Sequence, residues 1–343
     1  MPGHDIIVIG ASAGGVETLT KLVGALPSDL PATIFIVLHI PAQGPSLLPE
    51  ILSRSGPLKA ISPEDGEELR HGIIYVAPPD RHLLIECERV RVVHGPKENR
   101  HRPAVDPLFR SAALAYGSRV VGVVLTGSLD DGTAGLLAIK QRGGKAVVQE
   151  PDDALYPSMP LSALAHIQVD YSLPVADIGP LLARLAGTRV KEEGGYPVSE
   201  DMEQEVKLAE MDTDLDTTSS NVRAGKPSAY SCPDCGGVLW EVHDRDLLRF
   251  RCRVGHAFSV ESVLAAQSEQ LEEALWVTLK TLEENASLSR RMAKRARARG
   301  QEWLARSFEE RLHHAEQRAL VIQQVLQKDK PTLPTETIPH QSE

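Results

Sequence analysis

Three polar residues that could together carry out acyl transfer lie at or near the predicted ends of apolar strands. Ser12 lies in the segment GASAG (residues 10–14), which fits the G-x-S-x-G pattern that presents a nucleophilic serine between a strand and a helix. His39 ends the run FIVLH, and Asp131 follows the run VVLTG. A serine hydroxyl needs a base to take its proton as it attacks, and a histidine oriented by a carboxylate supplies one. The residue types therefore predict a Ser-His-Asp triad.

The serine segment has other interpretations. A dinucleotide-binding loop would need G-x-G-x-x-G and an acidic residue at the end of the second strand, but Ser12 replaces the middle glycine and His39 ends that strand. An α/β-hydrolase would have the chain order Ser, Asp, His, whereas the order here is Ser, His, Asp. Taken singly, each residue is more typical of a helix cap, a packed histidine or a turn. Only their joint placement favours a triad.

That placement depends on a parallel sheet. Ile6–Ile9 and Thr33–Leu38 are continuously apolar, as expected for strands buried on both faces, and residues of helical periodicity lie between them. Further strand-like and helix-like segments alternate up to about residue 188, which predicts a doubly wound, mainly parallel α/β sheet. The carboxyl ends of parallel strands meet at one edge, where ligands bind. Ile73–Val76 and Leu83–Ile85 are expected to pair as a hairpin.

An oxyanion site is expected beside the serine. Backbone N–H groups around residues 13–15 open a predicted helix, so they could bind a developing negative charge with help from the helix dipole. Asp131 would orient the His39 imidazole without taking the proton itself.

A second group of chemically active residues lies late in the chain. Cys232 and Cys235 are separated by two residues, sixteen residues separate Cys235 from Cys252, and three separate Cys252 from His256. Paired ligands at these intervals suit tetrahedral Zn²⁺. A segment this short has little core of its own, so a metal explains its folding better than free thiols do. All four ligand positions are filled, which predicts a structural zinc in a zinc-ribbon-like module and no metal in catalysis.

The composition divides the chain into five segments. Residues 191–230 are acidic, rich in Ser and Thr and poor in large apolar residues, which is typical of a flexible linker, with one helical turn near Val206. Residues 260–327 are rich in Leu, Ala, Glu and Arg and are interrupted by Gly300, which predicts two helices. The expected segments are a catalytic domain (1–188), an acidic linker (189–230), the zinc-ribbon-like module (231–258), a helical hairpin (259–328) and a disordered tail (329–343).

Charge and hydropathy indicate the compartment and the partners. The net charge of −10 disfavours general nucleic-acid binding, and the basic stretch RRMAKRARAR (290–299) is more typical of a solvated helix face. The apolar runs are too short to span a membrane, and the N-terminus lacks a basic signal-peptide region. Four cysteines, three of them with metal-like spacing, fit a reducing environment. We expect a cytoplasmic protein without membrane insertion, with helices able to pack on a partner.

Six ordered motifs resemble a known family over residues 4–185. They are VIGASAGG, VLHIP, YVAPPDRHLL, HRPAVDPLFRSAA, VVLTGSLDDGTAGLLAIKQRGG and YPSMPLSAL. Together they resemble the catalytic domain of CheB, the chemotaxis protein-glutamate methylesterase. The resemblance implies a doubly wound α/β fold, hydrolysis of glutamate γ-methyl esters on methylated chemoreceptors, and deamidation of receptor glutamines. It also implies that Ser12 is the nucleophile, His39 the base and Asp131, rather than Asp130, the acid, with no catalytic cofactor.

Three departures from the family pattern bear on these expectations. Ala13 stands where the family usually has threonine, and Ser128 stands where it has methionine after LTG, so the pocket is expected to differ in shape. The sequence begins at the catalytic strand, so control by an N-terminal receiver domain of the same chain is not expected. Two alternatives stay open: a hydrolase of another ester or amide, and a non-catalytic signalling scaffold that acts through the zinc and helical segments.

Overall fold

The computed structural model describes residues 3–190, 198, 200–210, 225–244 and 247–328. The chain divides into two compact units, residues 1–264 and 265–343, each of which is described by itself. The expected tail (329–343) and most of the expected linker lie outside the described residues.

A seven-stranded sheet forms the centre of the first unit, and every neighbouring pair of its strands is parallel. Its strands in spatial order are β3 (Lys59–Ile61), β4 (Ile73–Val76), β2 (Thr33–Leu38), β1 (Ile6–Ala11), β7 (Val120–Val124), β8 (Lys145–Gln149) and β9 (Tyr171–Leu173). The predicted parallel α/β sheet is therefore confirmed. The chain runs outward from β1 through β2 and then returns to place β7 on the other side of β1, which makes the β1–β7 junction the topological switch point.

Helices cover both faces of this sheet, which is why its strands are continuously apolar. On β1, Ile7 and Ile9 point into one core, and Ile6 and Val8 point into the other. The first core packs against α1 (Gly15–Gly24), α2 (Leu48–Ser55) and α6 (Val175–Ala186). The second packs against α3 (Val105–Tyr116), α4 (Thr133–Gln141) and α5 (Ser158–His166).

The expected hairpin of Ile73–Val76 with Leu83–Ile85 is wrong. Strand β4 joins the main sheet between β3 and β2, where both of its faces are covered, so its continuous apolar character suits a parallel strand. The hairpin is formed instead by β5 (His82–Glu86) and β6 (Arg89–Val93), which pair antiparallel. Glu88 makes their tight turn in the left-handed conformation, with φ of 65°.

A four-stranded antiparallel sheet carries the late cysteines. Its strands, in order, are β10 (Lys226–Ser231), β11 (Val238–Asp244), β12 (Leu247–Cys252) and β13 (Ala257–Ser259). We call residues 225–259 the Cys/His module. Its buried core is small and consists of Cys232, Leu239, Phe250, Cys252 and Phe258, together with Val263 just beyond the module.

A helix of eleven residues, α7 (Glu200–Glu210), lies within the segment expected to be a flexible linker. Only one turn near Val206 was expected because the segment is acidic and poor in apolar residues. However, Met202, Val206 and Ala209 recur at helical spacing and are buried, and Glu205 is buried with them. One narrow apolar face and the buried Glu205 are thus enough to hold this helix against the rest of the first unit.

A helical tail is present, as expected. Helix α8 (Val260–Ala298) begins in the first unit, and α9 (Glu302–Lys328) follows after Gly300 in the left-handed conformation (φ 72°). In the second unit, Arg290 pairs with Glu316 and small buried residues line both helices. Among the described residues, no helix combines the length and the apolar composition needed to cross a membrane.

Candidate active site

The turn after β1 holds Ser12 at the carboxyl edge of the sheet, and its two glycines have separate physical reasons. A Cβ on Gly10 would lie 2.3 Å from the Val105 Cγ1, so only glycine lets the start of α3 approach β1. Gly14 has φ of 72° and caps α1 from the left-handed region, where glycine is favoured. The G-x-S-x-G pattern therefore follows from helix packing and capping at this turn.

The structure brings together the three residues that the sequence predicts as a triad. His39 follows β2 and Asp131 follows β7, on either side of β1 at the switch point. The His39 Nδ1 lies 3.1 Å from the Ser12 Oγ, and the His39 Nε2 lies 2.8 Å from the Asp131 Oδ2. The carboxylate can only accept, so Nε2 carries the proton and Nδ1 is free to accept the hydroxyl proton of Ser12.

Asp131 is held as an ionised acceptor. Besides His39, its oxygens accept hydrogen bonds from the backbone N–H of Val105 (2.7 Å), Asp106 (3.2 Å) and Gly132 (3.0 Å) and from the Asn99 Nδ2 (2.9 Å). Burial would raise the pKa of Asp131, but the His39 contact and these donors outweigh it and hold the pKa well below its usual range. An ionised Asp131 fixes the tautomer and orientation of the imidazole.

Asp130, the neighbouring candidate, faces another way. Its Oδ1 accepts a hydrogen bond of 2.6 Å from the Ser259 hydroxyl, and no contact with His39 is found within the described residues. Burial raises the pKa of Asp130 to about 7, with the Glu261 carboxylate contributing to the increase. The geometry thus separates two adjacent aspartates that the sequence places side by side.

The turn around Ser12 is tied to a loop before α5. The Ser12 N–H donates to the Thr126 carbonyl (3.0 Å), and the Thr126 hydroxyl donates to the Ala13 carbonyl (3.0 Å). The Tyr156 N–H in turn donates to the Thr126 hydroxyl oxygen (2.9 Å). Thr126 therefore holds the serine turn and the Tyr156 loop together.

Of the three backbone N–H groups expected to bind the oxyanion, two remain available. The Gly15 N–H donates to the Ser12 carbonyl (2.9 Å), so it is engaged in the turn. Those of Ala13 and Gly14 form no hydrogen bond with another residue in the described ranges. These two amides precede α1, whose dipole favours negative charge at its N-terminus.

Residues 7–182 match the CheB methylesterase family, which is slightly more than half of the chain. The chain belongs to the CheB methylesterase family. We call the matched part the CheB domain. A Leptospira interrogans protein, whose name carries both protein-glutamate methylesterase and protein-glutamine glutaminase, is 40% identical over 183 residues, covering 53% of this chain and 95% of the relative.

Two further relatives agree with this assignment. A protein-glutamate methylesterase/protein-glutamine glutaminase of Geobacter metallireducens is 39% identical over 188 residues, and the match spans 54% of this chain and 51% of the relative. The crystal structure of the Thermotoga maritima CheB methylesterase catalytic domain is 34% identical, with a TM-score of 0.50, covering 53% of this chain and 98% of that one.

Two residues near the triad of the CheB domain were not found from the sequence. Asn99 bridges Asp131 and Asp106, since its amide donates 2.9 Å bonds to both carboxylates. Asp106 accepts from the N–H of Gly132 (3.1 Å) and Gly135 (2.6 Å), and burial together with the Asp131 charge raises its pKa to about 8. In the sequence, the two residues lie before and after the short polar segment HRPAV, which precedes a helix. That position does not reveal which distant residues they contact.

Three further residues near the site differ in what they contact. The His101 ring stacks on the His39 ring with centroids 3.7 Å apart, so it contacts the site. Arg102 instead pairs with Asp80 at 2.6 Å and is mostly buried, which disfavours substrate binding. Met159 packs beside Ser12, because a Cβ on Gly127 would lie 2.0 Å from the Met159 Sδ and 2.9 Å from the Ser12 Cβ.

The four residues predicted to bind metal converge in the Cys/His module. Their ligand atoms all lie within 4.8 Å of one another. The Cys235 and Cys252 Sγ atoms are 3.7 Å apart, and the His256 Nδ1 lies 3.7 Å from the Cys232 Sγ and 3.6 Å from the Cys252 Sγ. A tetrahedral site with Zn–S bonds of about 2.3 Å has S–S edges of about 3.8 Å. The residues present therefore fit a tetrahedral metal ion.

Proposed function

We propose that the CheB domain is a serine esterase that hydrolyses glutamate γ-methyl esters on chemoreceptor-like proteins. One observation carries this proposal: the hydrogen-bonded series Ser12–His39–Asp131 at the switch point of a CheB-family fold. In it, Ser12 is the nucleophile, His39 is the general base and acid, and Asp131 orients the imidazole. This activity needs no catalytic cofactor.

Acylation follows from the geometry. The Ser12 Oγ attacks the ester carbonyl carbon while its proton passes to the His39 Nδ1, 3.1 Å away. The carbonyl oxygen becomes an oxyanion, which the N–H groups of Ala13 and Gly14 stabilise. As the intermediate collapses, the C–O bond to the methoxy group breaks, and the imidazolium returns the proton so that methanol leaves.

Deacylation repeats these steps with water. His39 takes a proton from the water as its oxygen attacks the acyl carbon, and the free glutamate carboxyl leaves the regenerated Ser12. A glutamine side chain would react in the same way with ammonia as the leaving group. The second name carried by the relatives supports this deamidation as an additional activity.

A protein substrate suits the surface beside Ser12. Leu155 contacts the Gly14 position and is 71% exposed, and the neighbouring Tyr156, whose carbonyl binds the Gly127 N–H, is also exposed. Exposed apolar side chains next to a reactive group are typical of surfaces that receive another protein. This supports a methylated receptor as the partner.

We also assign a structural zinc to Cys232, Cys235, Cys252 and His256. The tetrahedral edges support it, and so do two tight turns, in which the N–H of Gly236 donates to the Cys232 carbonyl and that of Gly255 to the Cys252 carbonyl. These four residues would hold the ion and tie β10 to β12; they supply no step of the hydrolysis. A zinc-ribbon-like module with reduced thiols fits a cytoplasmic protein. The helical tail as a partner-binding segment stays a prediction.

Release of methanol from a receptor fragment carrying glutamate γ-methyl esters tests the function. The wild-type chain is expected to release methanol, and Ser12→Ala to lower kcat by about 10⁶-fold, because the nucleophile is lost. Ser28→Ala, at an exposed serine between α1 and β2, is the matched control. Unchanged release in Ser12→Ala would contradict the proposal. Hydrolysis of other esters without methanol release from the receptor would favour another hydrolase, and no hydrolysis at all would favour the scaffold.

A further inference from the structure

The Cys/His module is joined to the loop that carries Asn99 by backbone pairing. Strand β13 lies parallel to residues 97–99: the Ala257 N–H donates to the Lys97 carbonyl (3.2 Å), and the Asn99 N–H donates to the Ala257 carbonyl (2.8 Å). Ala257 directly follows His256 in the sequence. The position of the Asn99 backbone is thus set one residue away from a candidate metal ligand.

The Asn99 side chain continues this connection to Asp131. Its Oδ1 accepts a 2.9 Å bond from the Ser259 N–H, and its Nδ2 donates to Asp131 and Asp106. The residue is 5% exposed and adopts a φ of 48°, a region in which asparagine is favoured over most residues. Because both ends of the amide are engaged, the module fixes which way the amide points toward Asp131.

A buried ion cluster holds the module against the CheB domain. Arg251 of the module lies 3.3 Å from Glu98 and 3.1 Å from Glu205, and Arg249 lies 2.9 Å from Glu205. Arg110 on α3 pairs with Glu98 at 2.5 Å. These side chains are all less than 10% exposed, so the cluster is shielded from salt and solvent. The module therefore packs in one specific position next to the Asn99 loop.

We propose that the Cys/His module is a positioning element for the triad, and that metal bound at its four ligands holds Asn99 in the orientation that fixes Asp131. Loss of the metal loosens the turn from Cys252 to His256, because the metal closes this turn together with the hydrogen bond from the Cys252 N–H to the His256 carbonyl. Strand β13 and Asn99 then lose their fixed register, and Asp131 loses one of its donors. The proposal rests on the proposed esterase and on the assigned zinc site.

The test uses the full chain with zinc bound and two variants. Cys235→Ser removes the most exposed of the cysteine ligands, and Asn99→Gly removes the bridging amide while tolerating the left-handed backbone. Each is expected to lower kcat for methanol release by about 10–100-fold with little change in KM, as loss of outer-shell partners of a reacting group does. The double variant is expected to lose no more than the larger single effect, because both act along one connection. Arg253→Ala, at an exposed position of the same loop, is the control.

Two readouts do not depend on activity. Asn99→Gly is expected to weaken zinc binding about 10-fold, measured by competition with a chromophoric chelator, since coupling between sites acts in both directions. Chelating zinc from the wild-type chain is expected to speed amide hydrogen exchange in residues 97–106 while leaving β1 protected.

The outcomes separate the two proposals. Undiminished kcat in Cys235→Ser after zinc has been lost would overturn the positioning role, as would fully additive losses in the double variant. Wild-type zinc affinity in Asn99→Gly, or unchanged exchange in residues 97–106, would overturn the coupling itself. If the zinc-loaded wild-type chain releases no methanol, the proposed esterase fails, whereas the affinity and exchange measurements still decide whether the module controls the Asn99 loop.

Discussion

The carboxyl edge of the parallel sheet and the Cys/His module both bring distant residues together, but they are stabilised in different ways. The sheet edge rests on two large apolar cores, one on each face, and Ser12, His39 and Asp131 extend from strands that these cores hold rigid. The core of the module has six buried residues, one of them Val263 of the following helix, and two of them, Cys232 and Cys252, are candidate metal ligands. Its remaining apolar side chains contribute only about 1.5–3 kcal/mol each.

This difference shows why the module needs ligands and ion pairs and the sheet edge does not. A structural zinc is worth about 10–16 kcal/mol to a small domain, which is at least comparable with the roughly 6–12 kcal/mol that four apolar side chains supply. The buried ion pairs of Glu98 and Glu205 with their arginines then hold the module in one specific position. The apolar cores therefore make the sheet edge rigid by themselves, whereas we infer that rigidity of the module depends on the metal assigned to it.

Among the tests of this comparison, the largest effect is expected where the two regions meet, at the adjacent aspartates Asp130 and Asp131. Asp131→Asn should lower kcat by about 10⁴-fold, or about 5 kcal/mol. The neutral amide can donate to the His39 Nε2 and so stabilise the imidazole tautomer that cannot accept the Ser12 proton. Asp130→Asn, its matched control, should change kcat by less than about 10-fold, because Asp130 contacts Ser259 and not the imidazole. Steady-state methanol release measures both. Equal losses in the two variants would mean that the sheet edge does not discriminate between them.

The next effect tests the ion cluster. Glu205→Gln should lower the free energy of unfolding by about 3–5 kcal/mol, because it removes the carboxylate that pairs with three buried guanidinium groups, those of Arg110, Arg249 and Arg251. Only Glu98 and Asp244 then remain as their charged partners. Burial would raise the pKa of Glu205, but these arginines hold it below its usual range. Glu203→Gln, an exposed position on the same helix, is the control. Urea unfolding that shows equal stability for both variants would contradict a role for the cluster.

A smaller effect concerns pH and the sheet edge. Burial, with the neighbouring His39, lowers the pKa of His101 to about 4, whereas an ordinary histidine titrates near 6.5. As the pH falls from about 6.5 to about 4, the unfolded chain binds a proton here that the folded chain does not, so the free energy of unfolding falls by up to about 3 kcal/mol.

The variant His101→Asn should lose this part of the acid sensitivity. Unfolding in urea at several pH values between 4 and 7 measures it, and His166→Gln, at an exposed histidine, is the control. The same dependence on pH in His101→Asn and the wild-type chain would show that His101 is not the group responsible.

The smallest effect is expected in the second unit. Arg290 and Glu316 pair at 2.5 Å between α8 and α9, but both side chains are about half exposed. Arg290→Ala should therefore lower the free energy of unfolding by less than about 1 kcal/mol, and the effect should shrink further in high salt. A loss as large as that of Glu205→Gln would show that exposed and buried pairs are not as different as we infer.

Much of the sheet edge could be predicted because its signals are local. Continuous apolar strands, a glycine-rich turn and a polar residue at each strand end are readable in short stretches, and parallel pairing brings those ends to one edge. The cysteine spacing was readable for the same reason, since each ligand pair lies within one turn. The place of α7 was not readable, because three buried apolar residues in an acidic segment do not stand out without the surface on which they pack.

The sequence by itself determined the parallel α/β fold, the candidate triad Ser12, His39 and Asp131, and the grouping of three cysteines with His256. Only the tertiary structure decided that Asp130 faces Ser259, that Glu205 neutralises buried arginines, and that Asn99 joins the module to Asp131. The physical reason is range. Strand and turn preferences act over a few residues, whereas the bond between Asn99 and Ser259 spans 160 residues and exists only when two independently patterned surfaces pack together.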